Sequence, residues 1–148
     1  MQEGVTDVLN VTEMAQELKE LTAWQETPEP LEIYDYVKMV VRAVKKFFVD
    51  INHPAEYNQA LWTTNDNNET CYDREFLLDE EEYIKILCRV EFFQRVQMDV
   101  NNSFGYSTNA LTVTNADKPY ANLKDTITDL QNERRIAFNK MIRYTLGE

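Results

Sequence analysis

Apolar residues recur every three or four positions over several stretches of the chain, and each such stretch predicts a helix with one buried face. From Asn10 to Gln25, Met14, Leu18, Leu21 and Trp24 share one face, while Asn10 with Glu13 three residues on forms a capping-box pattern. Thr27-Pro28-Glu29-Pro30 ends that helix, because each proline removes an amide donor and biases its predecessor away from helix. Residues 1–30 therefore read as an acidic N-terminal helix with a proline linker, and 31–148 as the main helical domain.

Between Leu31 and Ile51 the set Ile33, Tyr34, Val37, Val40, Val41, Val44, Phe47, Phe48 and Ile51 makes a continuous apolar stripe, closed by Asn52-His53-Pro54. Lys38, Arg42, Lys45 and Lys46 occupy its other face, the densest basic stretch in the chain. A face of this kind is either solvated, paired with the chain's own acidic N-terminal helix, or open to an acidic partner.

Helical period is lost over residues 55–77. Gln59 to Thr64 and Thr70 to Tyr72 flank the polar run Asn65-Asp66-Asn67-Asn68-Glu69, a composition suited to a small β-hairpin. The spacing Asp66-x-Asn68-x-Thr70 imitates the opening of a calcium loop, but Cys71 replaces the glycine and Leu77 the closing glutamate, so calcium is not expected.

Leu78-Asp79-Glu80-Glu81-Glu82-Tyr83 reads as a helix start, with Asp79 as cap, Glu82 closing the box and Leu78 stapled to Tyr83. The helix continues to Phe104-Gly105 with Ile84, Ile86, Leu87, Cys88, Val90, Phe92, Phe93, Val96, Met98 and Val100 covering more than half its circumference, so a central position is expected. Tyr106 to Lys118 is polar and strand-prone, longer than a helical hairpin needs. Pro119 then opens a last helix of about 27 residues, roughly 40 Å long. Its seam is Tyr120, Leu123, Ile127, Leu130, Arg134, Ala137, Met141 and Tyr144, with Arg134 interrupting the apolar run. The expected fold is mainly α: a helical bundle with two long C-terminal helices, a small β-hairpin and a long strand-prone inter-helix loop.

Composition narrows the function. In 148 residues there are 26 Asp and Glu against 15 Lys and Arg, a net charge of -11, which disfavours binding to nucleic acid phosphates or anionic membranes. Eight of those acids lie before Ile33 with Lys19 as the one base, so the charge is polarised along the chain. The three glycines provide no phosphate-binding loop, and one histidine with two unpaired cysteines offers neither a zinc site nor a redox pair. No stretch has the length and apolarity of a membrane span and no leader pattern opens the chain, so synthesis in a reducing cytoplasm is expected. Neither Ser103, Ser107 nor His53 stands in a nucleophile motif, and the helix-start acids read as caps rather than a catalytic pair. The expectation is no enzyme and no cofactor. Aromatics at helical spacing read as core rather than as a ligand pocket.

The stretch Asn109-Ala110-Leu111-Thr112-Val113-Thr114-Asn115-Ala116-Asp117-Lys118-Pro119-Tyr120-Ala121-Asn122-Leu123-Lys124-Asp125-Thr126-Ile127 closes a polar, strand-prone loop and opens a long helix. In that arrangement the chain from about residue 31 to 146 resembles the head-to-tail connector (neck adaptor) proteins of tailed bacteriophages. The resemblance implies a structural virion protein in a ring, usually of twelve subunits, seated between portal and tail and continuing the DNA channel without binding DNA specifically. It also implies a location in the neck between capsid and tail, and contacts with the portal, other neck or tail proteins and copies of itself. By position it assigns portal or subunit docking to Arg134, Arg135, Lys140 and Arg143, and inter-subunit contacts to the loop containing Tyr106, Leu111, Val113 and Asn115. On the residues alone, a structural role as long stems over apolar surface is favoured for Arg134 and Arg135 over an intermolecular contact. The competing expectation is a cytoplasmic acidic helical module that binds a basic protein through its first helix.

Overall fold

The computed structural model describes residues 5, 6, 8–104 and 120–145. Its elements run β1 (Val5–Thr6), β2 (Leu9–Asn10), α1 (Val11–Leu21), α2 (Ile33–Asp50), two 3₁₀ turns (Pro54–Glu56 and Gln59–Leu61), β3 (Trp62–Thr64), β4 (Thr70–Tyr72), β5 (Phe76–Leu77), α3 (Leu78–Phe104) and α4 (Leu123–Thr145). The architecture is mainly α, with two long C-terminal helices and small antiparallel sheets, as the periodicity predicts.

The hairpin forms from β3 and β4 with Trp62 opposite Tyr72 and Thr64 opposite Thr70. Its turn is organised by the Asn65 carboxamide oxygen, which accepts from the amides of Asn67 at 3.0 Å and Glu69 at 2.9 Å. Asn68 takes a φ of 64°, a left-handed value that asparagine tolerates. A third strand joins from the N-terminal segment: β2 pairs with β4, Leu9 opposite Tyr72 and Asn10 opposite Cys71. β1 pairs separately with β5.

α1 begins where the capping pattern places it, Asn10 Oδ1 accepting from the Glu13 amide at 2.9 Å. It ends at Leu21, several residues before the prolines, where buried Thr22 turns its hydroxyl back onto the Leu18 carbonyl at 2.7 Å. Val11, Met14, Ala15 and Leu18 enter the same core as α2 and α3. Leu21 and Trp24, expected on the buried face, are instead 55% and 67% exposed. Trp24 lies beyond the helix end, with its ring centroid 5.7 Å from that of Phe93.

α2 buries Tyr36, Met39, Val40, Ala43, Val44, Phe47 and Phe48. Its N-terminus is closed by Asp35, whose Oδ2 accepts from the Glu32 amide at 2.9 Å. At the other end Asn52 has φ 61°, and the amides of Asn52 and His53 reach the carbonyls of Val49 and Phe48, a Schellman closure made on asparagine in place of glycine.

α3 is central, packing against α1, α2 and α4. Tyr83, Ile84, Ile86, Leu87, Cys88, Val90, Phe92, Phe93, Val96 and Val100 are buried, whereas Met98 is exposed. Its start is capped two residues earlier than the sequence pattern suggests. The helix opens at Leu78, and Glu80, not Glu82, reaches back to the Leu77 amide at 2.9 Å. Leu78 is exposed and so does not staple buried Tyr83. Asp79 is free to pair with Lys140 on α4. α4 is shorter than the predicted 27 residues, beginning at Leu123 after a turn at residues 120–122. Leu123, Leu130 and Met141 of the predicted seam are buried against the core.

Candidate docking surfaces

Three groups of side chains stand out: the polar cluster at Arg134, the exposed cations of α4, and the basic groove beside α2.

Arg134 occupies the apolar seam of α4 and is held from three sides. Its Nη2 lies 2.7 Å from Asp50 Oδ2 of α2, its Nε donates to the Tyr83 hydroxyl of α3 at 3.2 Å, and its Nη1 donates to Gln131 Oε1 at 3.3 Å. Tyr83 in turn donates to Asp50 Oδ2 at 2.6 Å, so one carboxylate oxygen receives both a phenol and a guanidinium. Burial, then the bond to Asp50, pushes the Tyr83 phenol up to about 12. The Arg134 and Asp50 side chains retain 21% and 17% exposure, which leaves the pair little screened. Of the two roles the sequence allows, the structure shows Arg134 in the structural one, joining α2, α3 and α4.

The other cations of the predicted docking set differ. Arg135 is exposed. Lys140 is also exposed, its Nζ 3.5 Å from Asp79 Oδ1 while 71% of the side chain faces solvent, a contact worth little by itself. The Arg143 side chain lies outside the described residues, as do Tyr106, Leu111, Val113 and Asn115 of the predicted inter-subunit loop.

Among the described residues no acid of α1 pairs with the basic face of α2. Glu17 of α1 pairs with Lys85 of α3 instead, at 3.5 Å. Arg42 pairs with Glu91 of α3 at 3.2 Å, and Lys38 sits over the Tyr34 ring at 4.4 Å. Lys45 sits 5.6 Å from the centroid of Tyr57. Among the described residues neither Lys45 nor Lys46 makes an ion pair. Together with Val49, Asp50, Pro54, Tyr57, Arg42 and Glu91 they line an open groove of about 480 Å³.

One further cation was not singled out by the sequence pattern. Arg74, in the turn before β5, lies over the rings of Phe76, Phe48 and Phe47 at 4.7, 5.2 and 5.8 Å, and its guanidinium is 3.6 Å from the buried carboxylate of Glu80. The signal available was a lone base between Tyr72 and Phe76. Its surroundings make it a pin between the hairpin, α2 and the start of α3.

Cys71 and Cys88 are buried free thiols, and burial raises both above the usual thiol range. A thiol held in its protonated form is a poor nucleophile. Among the described residues no group of three His, Cys, Asp or Glu is placed to hold a metal ion, and no helix is long and apolar enough to cross a membrane. No family model, curated protein or solved structure matches the chain.

Proposed function

We propose that this chain is a structural docking protein of the head-to-tail connector type, a ring subunit between portal and tail that continues the DNA channel. The observation that carries the reading is the anchoring of α4. Arg134, Tyr83 and Asp50 fix the helix to the bundle, while Arg135 on the same helix turns to solvent and Lys140 is only loosely held. Cations presented on an anchored helix suit recognition by an acidic face, because the backbone that carries them is already fixed when the partner arrives. The net charge of -11 supports the same reading, since DNA passing such a subunit is repelled and not held. In this arrangement Arg135, Lys140 and Arg143 make the portal contact, and Arg134 keeps their helix in place.

The direct test is co-sedimentation with purified portal rings. Wild-type chain sediments with the rings, and the Arg135→Glu, Lys140→Glu double variant stays in the supernatant with an unchanged circular dichroism spectrum. Failure of the wild type to sediment, or sedimentation of the double variant at wild-type level, removes this docking scheme.

A further inference from the structure

The groove beside α2 has a complement on the same molecule. Its two wall carboxylates are already engaged, Glu91 by Arg42 and Asp50 by Arg134, so Lys45 and Lys46 set its sign. Its apolar floor is open: Val49 is 61% exposed and the Tyr57 ring borders it. The groove therefore suits an acidic segment that also carries apolar side chains.

Residues 20–35 have that chemistry. They include Glu20, Glu26, Glu29, Glu32 and Asp35 with no lysine or arginine. Glu26, Glu29 and Glu32 are exposed, and Trp24 stands 67% exposed at the head of the connection between α1 and α2. An exposed tryptophan beside exposed carboxylates is the composition of an interface anchor with a charged rim.

The two surfaces of one molecule do not meet. Glu32 caps the N-terminus of α2, and Lys46 lies fourteen residues further along it, about 20 Å at 1.5 Å per residue. Among the described residues none of Glu26, Glu29 or Glu32 pairs with either lysine. We infer that the α2 groove receives the acidic α1–α2 connection, Trp24 to Glu32, of a second copy of this chain. Lys45 and Lys46 meet Glu26 and Glu29, and Val49 with Tyr57 meets Trp24. The donor and acceptor patches are different surfaces, so each copy both gives and receives, and the contact is heterologous, closing into a ring when the rotation allows. The inference rests on the connector reading only in requiring that copies associate.

The test is photo-crosslinking of the full chain with Val49 replaced by p-benzoylphenylalanine, in an equal mixture of ¹⁴N- and ¹⁵N-labelled copies at high concentration and low salt. The expected product is a mixed-isotope cross-link to the peptide containing Trp24 to Glu32. It is lost with Lys45→Glu and Lys46→Glu, and regained when the partner copy carries Glu26→Lys and Glu29→Lys. Absence of a mixed-isotope product, a cross-link to another segment, or no response to charge reversal overturns it. A mixed-isotope cross-link from a chain that fails to bind portal rings keeps this contact and removes the connector reading; portal binding without the cross-link does the reverse.

Discussion

Arg134 Nη2 stands 2.7 Å from Asp50 Oδ2, joining two helices whose residues are separated by most of the chain. The one charged residue in the α4 seam thus has its counter-charge waiting on α2, with Tyr83 between them as donor to one and acceptor from the other. Removing one member leaves the other partly buried without its partner, which costs more than the pair contributes. Arg134→Ala and Asp50→Ala should each destabilise the fold by about 2 kcal/mol in urea unfolding, and the double variant by clearly less than their sum. Arg135→Glu, one residue away and exposed, should shift stability by no more than about 0.5 kcal/mol. Equal effects at both positions would contradict the structural role given to Arg134.

The same cluster predicts an alkaline weakness. The Tyr83 phenol is raised from its ordinary 10.0 to about 12, so the folded state keeps a proton that the unfolded state releases. Stability from this group is complete below pH 10 and lost as pH rises towards 12. Tyr83→Phe should be less stable than wild type at neutral pH, because the Asp50 and Arg134 bonds are gone, and should show a flatter decline between pH 10 and 12. Parallel slopes for the two proteins would refute the assignment.

At the end of α2, Asn52 holds φ 61° while its amide and that of His53 close the helix. Glycine adopts this conformation without strain and a β-branched residue does not. Asn52→Gly should leave the thermal midpoint within a few degrees, and Asn52→Val should cost about 1–2 kcal/mol.

At the opposite boundary, Glu80 closes α3 through the Leu77 amide and lies beside Arg74. Glu80→Ala removes the cap and the nearer of two carboxylates beside Arg74, leaving Glu56 at 3.8 Å, at a cost of about 2 kcal/mol. The same change at Glu82, which the sequence pattern favours as cap, should cost a few tenths of a kcal/mol. Urea unfolding of the two variants separates the frames.

Buried Cys88 should resist thiol reagents until the protein unfolds, because its thiol is raised by burial and unreachable. Labelling by Ellman's reagent should follow the unfolding curve in urea. Fast labelling in native buffer would show that α1 lifts from α3, since Met14 of α1 packs on this sulfur.

Helix identity was legible because the apolar period is local: the stripe of α2 and the encircling pattern of α3 are written in consecutive turns. The frame at the start of α3 was not, because acids at positions 79 to 82 satisfy two capping registers and the choice depends on Arg74, which the hairpin delivers. Trp24 fits a helical face only if α1 continues to Gln25, and buried Thr22 ends it sooner. The pairing of β2 with β4 rests on two residues per strand, too short to leave a period. For the site, Arg135 and Lys140 are exposed on α4, which the sequence marks only as a basic C-terminal end. The partner of Arg134 lies 84 positions away, and no spacing rule encodes such a contact. The α2 groove was visible as a basic face, but its apolar floor needed Tyr57 from the following turn.

The proposed place of this chain is the neck of a tailed particle. Quantitative mass spectrometry of purified particles from the source, with copy number referred to the portal subunit, tests it directly. The account predicts about one copy of this chain for each portal subunit. Absence of the chain from intact particles would contradict it and turn attention to a soluble basic partner for the acidic first helix.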